Sequence, residues 1–497
     1  MPNTVHRLAP QLAISALNHD VLLNIFHWYR LGNTTDGFDR GWNLERWWYR
    51  LIHVCRTWRH LILASPSRLN LHLVCTYGTP ITTMLAHSPS LPLIIYYPGR
   101  LGDAAGKDVE DVLFLLHHRE RVHRIHFRAP AASLPSLVNA MGGEYPGLQR
   151  LVIRSHTEKL GAASGTGVEL PVKLQAPHLR RLTLSDVRLP AGSELLLRAE
   201  GLVTLELTDI TDTPEVHPAH LVAQLARMAQ LERLVVHFRS ALPSRAVERT
   251  LSGAGTMRTA LPRLKLFSFR GSSAYLEGVL ARLSAPGLQT LFVDLFAQLT
   301  FDLPCLMRFV PTASTADGNG AGFRFHAAEL HFDAETACVL LDSGAATATR
   351  MNPVQLRVSC RTLDWQLAAL AQICGVLAPL FTRVESLTLG LHVAHPSPDA
   401  NSSAGLEVVP NTSRVQWLAL LRAFGGTKSL QLTGPRAGHL LRELLPLPAE
   451  LLPALQELQP GDDGESDTAK DGEGGLAAFT VEREAAGCPV RVVRDWW

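Results

Sequence analysis

Leu17, Val21, Leu22, Ile25 and Phe26 recur at i, i+4, i+5, i+8 and i+9, which predicts an amphipathic helix over Leu17 to Arg30 with Asn18 capping its start. The next segment, residues 31–41, is dense in Gly, Asn, Thr and Asp and reads as a loop. A second stripe, formed by Leu44, Trp47, Trp48, Leu51, Cys55, Trp58 and Ile62, predicts one further helix. Ser65-Pro66 should stop it, because the residue before a proline is pushed out of the α region.

From about residue 90 the pattern becomes a recurring LxxLxL, whose last two apolar positions alternate as in a half-buried strand. The clearest copies are Leu148-Leu151-Ile153, Leu179-Leu182-Leu184, Leu202-Leu205-Leu207 and Leu231-Leu234-Val236. Leu264-Phe267-Phe269 and Leu288-Leu291-Val293 continue the series, followed by the pairs Leu330-Phe332, Leu356-Val358, Leu387-Leu389 and Leu430-Leu432, with Ile125-Phe127 as a first member. Several copies follow a Pro and a small residue, the makings of a turn that feeds each strand. Spacings of roughly 23 to 43 residues suit a strand plus a helical or irregular return. Leu221-Leu225-Met228 and Trp365-Leu370-Ile373-Leu377 have the spacing of such returning helices. One strand and one helix cannot bury an apolar face alone, so stacking makes the core. The fold class expected is therefore α/β, a short N-terminal α-helical module followed by a leucine-rich-repeat-like α/β solenoid.

The domain boundaries expected are a helical module over 1–75, the repeats over 76–458, an acidic disordered linker over 459–475 and a C-terminal segment over 476–497. Residues 311–322 and 395–405, rich in small polar residues, Gly and Pro, are expected to loop out between units. In the last segment, FTVERE and CPVRVVRDWW are expected to return as a terminal strand pair.

Composition narrows the function little: 46% hydrophobic and 19% charged residues with a net charge of +2 describe a folded chain and name no partner. Seven cysteines without a CxxC pair speak against a disulfide framework or a structural zinc site and for a reducing compartment. We expect a cytoplasmic or nuclear protein without a signal peptide or membrane span, in which the sequons at Asn33, Asn401 and Asn411 are incidental. No phosphate-binding loop, dinucleotide fingerprint, zincin or serine-hydrolase motif occurs, so no catalytic residue, cofactor or metal is expected. His117, His118, His123 and His126 lie close together in sequence, but strand and helix geometry should point them apart.

The stretches ALNHDVLLNIF and RLIHVCRTWRHLILASPSRL resemble the F-box, with Leu17, Asp20, Val21, Leu22, Ile25 and Phe26 on its first helix and Val54, Cys55 and Trp58 in its VCxxW motif. An F-box in front of leucine-rich units is similar to the arrangement of fungal F-box proteins. Asn18 stands where the family has Pro, and Leu69 where it has a closing Trp. The resemblance implies the substrate-recognition subunit of an SCF-type cullin-RING ubiquitin ligase, a non-enzymatic role. Its Skp-type adaptor would bind Leu17, Val21, Leu22, Ile25, Phe26, Val54, Cys55 and Trp58. The other reading is a leucine-rich scaffold whose N-terminal helices, with Trp47, Trp48 and Trp58 as their core, only cap the array.

In each unit the residues flanking the core positions should line the exposed strand face. Arg124, His126, Arg128, Arg150, Arg154, Arg181, Arg233, His237 and Arg270 fall there in the early units, and Asp294, Glu329, His331 and Asp333 in the later ones. The basic set is the expected site for an unidentified target protein, through an acidic or phosphorylated segment. Ordinary solvated strand faces are the alternative. Neither nucleic acid nor membrane is expected as a partner.

Overall fold

The computed structural model describes residues 17–32, 46–76, 79, 81–87, 90–98, 105–156, 167–190, 192–210, 217–240, 258–312, 325–342, 354–391, 410–434, 452–460 and 469–493. The fold is mixed α/β, a mostly parallel sheet of 16 strands accompanied by helices. The chain divides into two units, Met1–Arg181 with Gly192–Arg198, and Leu182–Ala191 with Ala199–Trp497.

The first unit opens with helices α1 (His19–Gly32), α2 (Trp47–Leu51), α3 (Arg56–Ala64) and α4 (Pro66–Leu69). Asn18 caps α1 as expected, its Oδ1 accepting from the Asp20 amide at 3.2 Å and its carbonyl from Leu22 at 3.1 Å. The single helix expected over Leu44 to Ile62 is instead two. Cys55 lies extended (φ −158°, ψ 170°) between α2 and α3 and caps α3, its Sγ accepting from the Trp58 amide. The apolar stripe runs unbroken through this corner because both short helices turn their large residues inward, and periodicity does not register a bend.

Parallel strands β1 (Leu73–Cys75), β2 (Leu93–Tyr97), β3 (Val122–Pro130) and β4 (Arg150–His156) follow in spatial order, with helices Ala105–Leu116 and Leu134–Asn139 in the crossovers and a short β5 (Val168–Glu169) after β4. β1 and β2 lack the leucine signature and were not anticipated.

The second unit takes up β6 (Arg181–Ser185, of which Arg181 belongs to the first), β7 (Val187–Arg188), β8 (Thr204–Ile210), β9 (Arg233–Phe238), β10 (Thr259–Ala260), β11 (Leu266–Gly271), β12 (Leu283–Ser284) and β13 (Thr290–Phe296). β8, β9, β11 and β13 pair in parallel with matched register, Leu234 aligning with Leu205 and Phe267, and Phe267 with Leu291. Each unit enters its strand through the same turn, in which the amide of the leading leucine returns to the carbonyl three residues back. Leu148 to Tyr145, Leu179 to Ala176, Leu202 to Ala199, Leu231 to Met228, Leu264 to Leu261 and Leu288 to Ala285 all do so at 3.1–3.2 Å or less. The turns stack closely: a Cβ on Gly287 would meet the Pro262 carbonyl oxygen at 2.8 Å, so only glycine fits there. The three apolar positions of each clear copy are buried, and each such side chain is worth about 1.5–3 kcal/mol relative to exposure.

The parallel order is interrupted once. Beyond β13 the sheet runs β16 (Val354–Ser359), β15 (Thr336–Asp342), β14 (Ala327–Phe332) and then β17 (Ser386–Leu391), with β15 antiparallel to both neighbours. The long helix Leu363–Phe381 crosses from β16 to β17, spanning this reversed meander. Its buried Gln366 donates to the carbonyls of Asp333 (2.8 Å) and Cys360 (2.7 Å), tying the turn between β14 and β15 to the segment that leads from β16 into the helix. By length and apolar composition that helix is long enough to cross a membrane. Its Leu367, Leu370, Ile373, Cys374, Leu377 and Phe381 are buried, and it packs on β15, β16 and helix Pro410–Leu421, as a core helix does. Trp365, expected among its inward positions, stays 51% exposed.

β18 (Ser429–Thr433), β19 (Glu457–Gln459) and β20 (Arg491–Val492) close the order, all parallel. Two C-terminal expectations are corrected here. A helix, Ala469–Ala485, begins inside the segment expected to be disordered and includes FTVERE, which therefore does not pair as a strand; among the described residues after it, Arg491–Val492 is the strand. Leu476 and Arg483, two helical turns apart, are buried, and Arg483 donates to the Leu452 and Cys488 carbonyls. An arginine acting as a buried clamp gives no apolar period to read. Of the two expected loop-outs, 313–322 and 395–405 lie outside the described residues, while Pro304–Thr312 is helical.

Candidate functional site

Successive residues of a helix advance by about 100°. On α1 that places Val21, Ile25 and Trp28 in one stripe, with Leu22 and Phe26 on an adjoining one and Leu17 just ahead of the cap. The second stripe is interior: Leu22 is 2% and Phe26 1% exposed, with Leu23 also buried. The first is open, with Val21 at 44%, Ile25 at 46% and Trp28 at 70% exposure, and Leu17 is 38% exposed. Val54, in the turn between α2 and α3, is 58% exposed, and Tyr29 and Leu31 extend the apolar surface of α1. A run of large apolar side chains left in water costs free energy and marks a surface that something covers.

The rest of the module holds this stripe in place. Phe26 meets Trp58 edge to face at 4.8 Å, joining α1 to α3. Arg68 on α4 reaches back to Asp20 Oδ1 (2.7 Å) and Asn24 Oδ1 (3.3 Å), fixing the exit segment against α1, and Leu69 is fully buried beneath them. Trp47 and Trp48 are buried, and Trp48 and Arg46 dock the module on the sheet. Trp48 Nε1 donates to the His72 carbonyl (3.2 Å), and Arg46 donates to the Val74 carbonyl (3.1 Å) and Thr76 Oγ1 (2.7 Å). Donors from the module thus satisfy carbonyls at edge strand β1, which would otherwise present them to another chain.

Of the eight residues expected to meet an adaptor, Leu17, Val21, Ile25, Val54 and Cys55 are exposed, Trp58 is half-buried, and Leu22 and Phe26 are spent on the module's own packing. Trp28 and Tyr29 were missed. Trp28 falls on the Leu17–Val21–Ile25 stripe at i+11, so extending the period by one step finds it.

The strand face splits into two kinds of surface. In the first unit Arg124 aligns with Arg150, His126 with Val152 and Arg128 with Arg154. The Arg181 amide returns to the Gln149 carbonyl (3.0 Å), the same bond that seats Arg233 beside Thr204. Arg181 therefore stands beside Arg150, and Arg124, Arg150 and Arg181 form one row. In the second unit the basic residues meet acids, across strands for Arg233 and Arg270 and along one strand for His331. Arg233 pairs with Glu206 (2.9 Å), Arg270 with Asp294 (3.5 Å), Arg239 with Asp186 (3.0 Å) and His331 with Glu329 (3.1 Å), while Asp333 accepts from Thr336. His237 contacts Ser268 Oγ at 2.8 Å; burial, then Arg270, lowers its pKa below the usual imidazole value. Glu206 and Asp294, which alternate with the arginines, decide the character of this face. Arg233 and His237 accordingly belong with a mixed-charge surface and not with the arginine rows.

The remaining candidate chemistry is dispersed. His117 Nδ1 contacts the Leu113 carbonyl (2.7 Å), His118 the ring of Phe114, His123 that of His72 and His126 that of Tyr96. Burial pushes the thiol of Cys75 up to about 12 and those of Cys305 and Cys338 up to about 11, which keeps them protonated. Among the described residues no three His, Cys, Asp or Glu side chains are grouped to hold a metal ion. No protein-family model matches the chain, and no curated protein matches its sequence.

Proposed function

We propose that this chain is the substrate-recognition subunit of an SCF-type cullin-RING ubiquitin ligase, taking a Skp-type adaptor on its N-terminal helices and a target protein on its repeat sheet as a leucine-rich-repeat-like solenoid. The observation that carries the reading is the open stripe Leu17–Val21–Ile25–Trp28, with Val54 also exposed, on a module that resembles the F-box in sequence. An adaptor helix laid on that stripe would bury it, and the aromatic Trp28 suits the centre of such an interface. In this role the chain performs no bond chemistry. It raises the effective concentration of a target lysine near a ubiquitin-charged enzyme supplied by the complex.

A scaffold without a ligase role has one observation in its favour: Trp48 and Arg46 fasten the module to β1, as a simple cap would be fastened. A cap has no use for the outer stripe, and this separates the two readings. Co-expression of the full chain with a Skp-type adaptor should give a complex that survives purification. Val21→Glu with Ile25→Glu should abolish it without lowering the melting temperature. Failure of the unaltered chain to retain the adaptor overturns the ligase assignment and leaves the scaffold.

A further inference from the structure

Residues 46–102 contain no Asp or Glu, although the chain carries 45 of them in 497 residues. Helices α2 and α3 and the turn between them lie inside that run, so their charged side chains are all of one sign. Asp20, the acid of α1, is taken by Arg68.

Arg56, Arg59, His60 and Leu63 recur at i, i+3, i+4 and i+7, which sets them on one face of α3. The other face is used inside the module, through Trp58 on Phe26 and the buried Leu61 and Ile62. Arg56, Arg59 and His60 are exposed, and an open depression of about 450 Å³ lies against them, lined among the described residues by these three with Leu63 and Ala64. Among the described residues Arg56 and His60 make no ion pair. Arg59 Nε donates to the Ile52 carbonyl at 3.0 Å, which holds the side chain over the turn that exposes Val54 and uses one of its five N–H groups. A cation in the first turn of a helix sits at the positive end of the helix dipole, so Arg56 adds nothing to the stability of α3. An anionic partner would reverse that balance.

We propose that the Arg56–Arg59–His60 face of α3 is a second contact for the Skp-type adaptor, taking carboxylates on the adaptor's surface. It rests on the ligase reading above and adds that the adaptor is acidic where it meets α3. Val54 and Cys55, both exposed and both expected to meet the adaptor, run directly into Arg56, so one partner surface reaches the apolar and the cationic positions together. Two guanidiniums one helical turn apart suit a pair of carboxylates at the same spacing.

The test is the rate at which the full chain associates with a purified Skp-type adaptor as salt is varied. Raising the salt from about 0.01 M to 1 M shortens the screening length from about 30 Å to 3 Å and should slow association of the unaltered chain about tenfold or more. Arg56→Glu with Arg59→Glu should slow association at low salt by a similar factor and remove most of the salt dependence. Arg56→Lys with Arg59→Lys should keep both. Should the double glutamate variant fail to fold, Arg56→Glu alone, which breaks no ion pair, should change the rate in the same direction. Binding at a rate indifferent to salt or to Arg56→Glu overturns this proposal and leaves the ligase reading standing, whereas no binding at any salt overturns both. A single-stranded oligonucleotide that binds more tightly than the adaptor, and is lost in Arg56→Glu, overturns it in favour of a nucleic-acid surface.

Discussion

The helical module and the repeat strands use the same residues, Leu, Val, Ile and aromatics, to opposite ends. In the repeats the LxxLxL positions are buried: Leu148, Leu151 and Ile153 are each 0% exposed. On α1 half of an equally regular pattern is buried, while Val21 and Ile25 stand 44% and 46% exposed. A strand in a sheet has a neighbour on each side and a helix below, so every inward apolar residue finds a partner within the fold. A helix in a small module has two apolar stripes and intramolecular partners for only one. Periodicity therefore shows that a residue belongs to an interface, and packing decides whether that interface is internal.

The most direct way to break this comparison is by truncation. Leu151→Ala should cost about 2–5 kcal/mol in chemical denaturation, whereas Ile25→Ala should cost well under that, about 1 kcal/mol or less. Equal losses would mean that the α1 stripe is core after all. Next comes the seam that joins module to sheet. Trp48→Phe leaves the buried His72 carbonyl without its donor and should cost about 1–3 kcal/mol, seen in the same denaturation experiment. A neutral result would remove the edge-capping role.

A subtler probe lies among the helices behind the second unit's sheet. Glu277 is buried and accepts from the amides of Cys305 (2.6 Å) and Leu306 (2.9 Å), capping the helix that begins there. Burial, the largest influence, raises its pKa from the ordinary glutamate value, against the two amides that lower it. A carboxyl whose folded pKa exceeds its unfolded one contributes fully below the unfolded value and loses that contribution as pH rises through the folded one. The native chain should therefore lose stability relative to Glu277→Gln as pH is raised from the acid range towards neutrality. Melting temperatures of the pair across that range check the sign. The smallest effect expected is on the mixed-charge face. A double-mutant cycle on Arg233 and Glu206 should give a coupling of about 1 kcal/mol or less, because Arg233 is 47% exposed and solvent screens the pair.

The clearest strands were legible because a leading leucine, a turn and an alternating pair recur in them, three local signals that agree. β15 was not, since it pairs antiparallel between two repeat strands and needs neither the leading leucine nor the turn. The break at Cys55 was hidden by a stripe continuing through the corner, and the helix Ala469–Ala485 by an acidic sequence with little apolar period. At the candidate site the residues of α1 were readable from spacing, but not which stripe Phe26 and Leu22 would join. Their burial depends on Trp58 and Arg68, more than thirty residues away in sequence. Glu206 and Asp294 were overlooked as partners because strand register, not sequence, brings them beside Arg233 and Arg270.

The central claim is that the outer stripe of α1 is an interface waiting for a Skp-type adaptor. Isothermal titration of the purified full chain with that purified adaptor at several temperatures tests it most directly. The account predicts saturable one-to-one binding with a negative heat-capacity change, the mark of apolar burial, and its loss in Val21→Glu with Ile25→Glu. No binding by a folded chain with Leu17, Val21, Ile25 and Trp28 intact would contradict it.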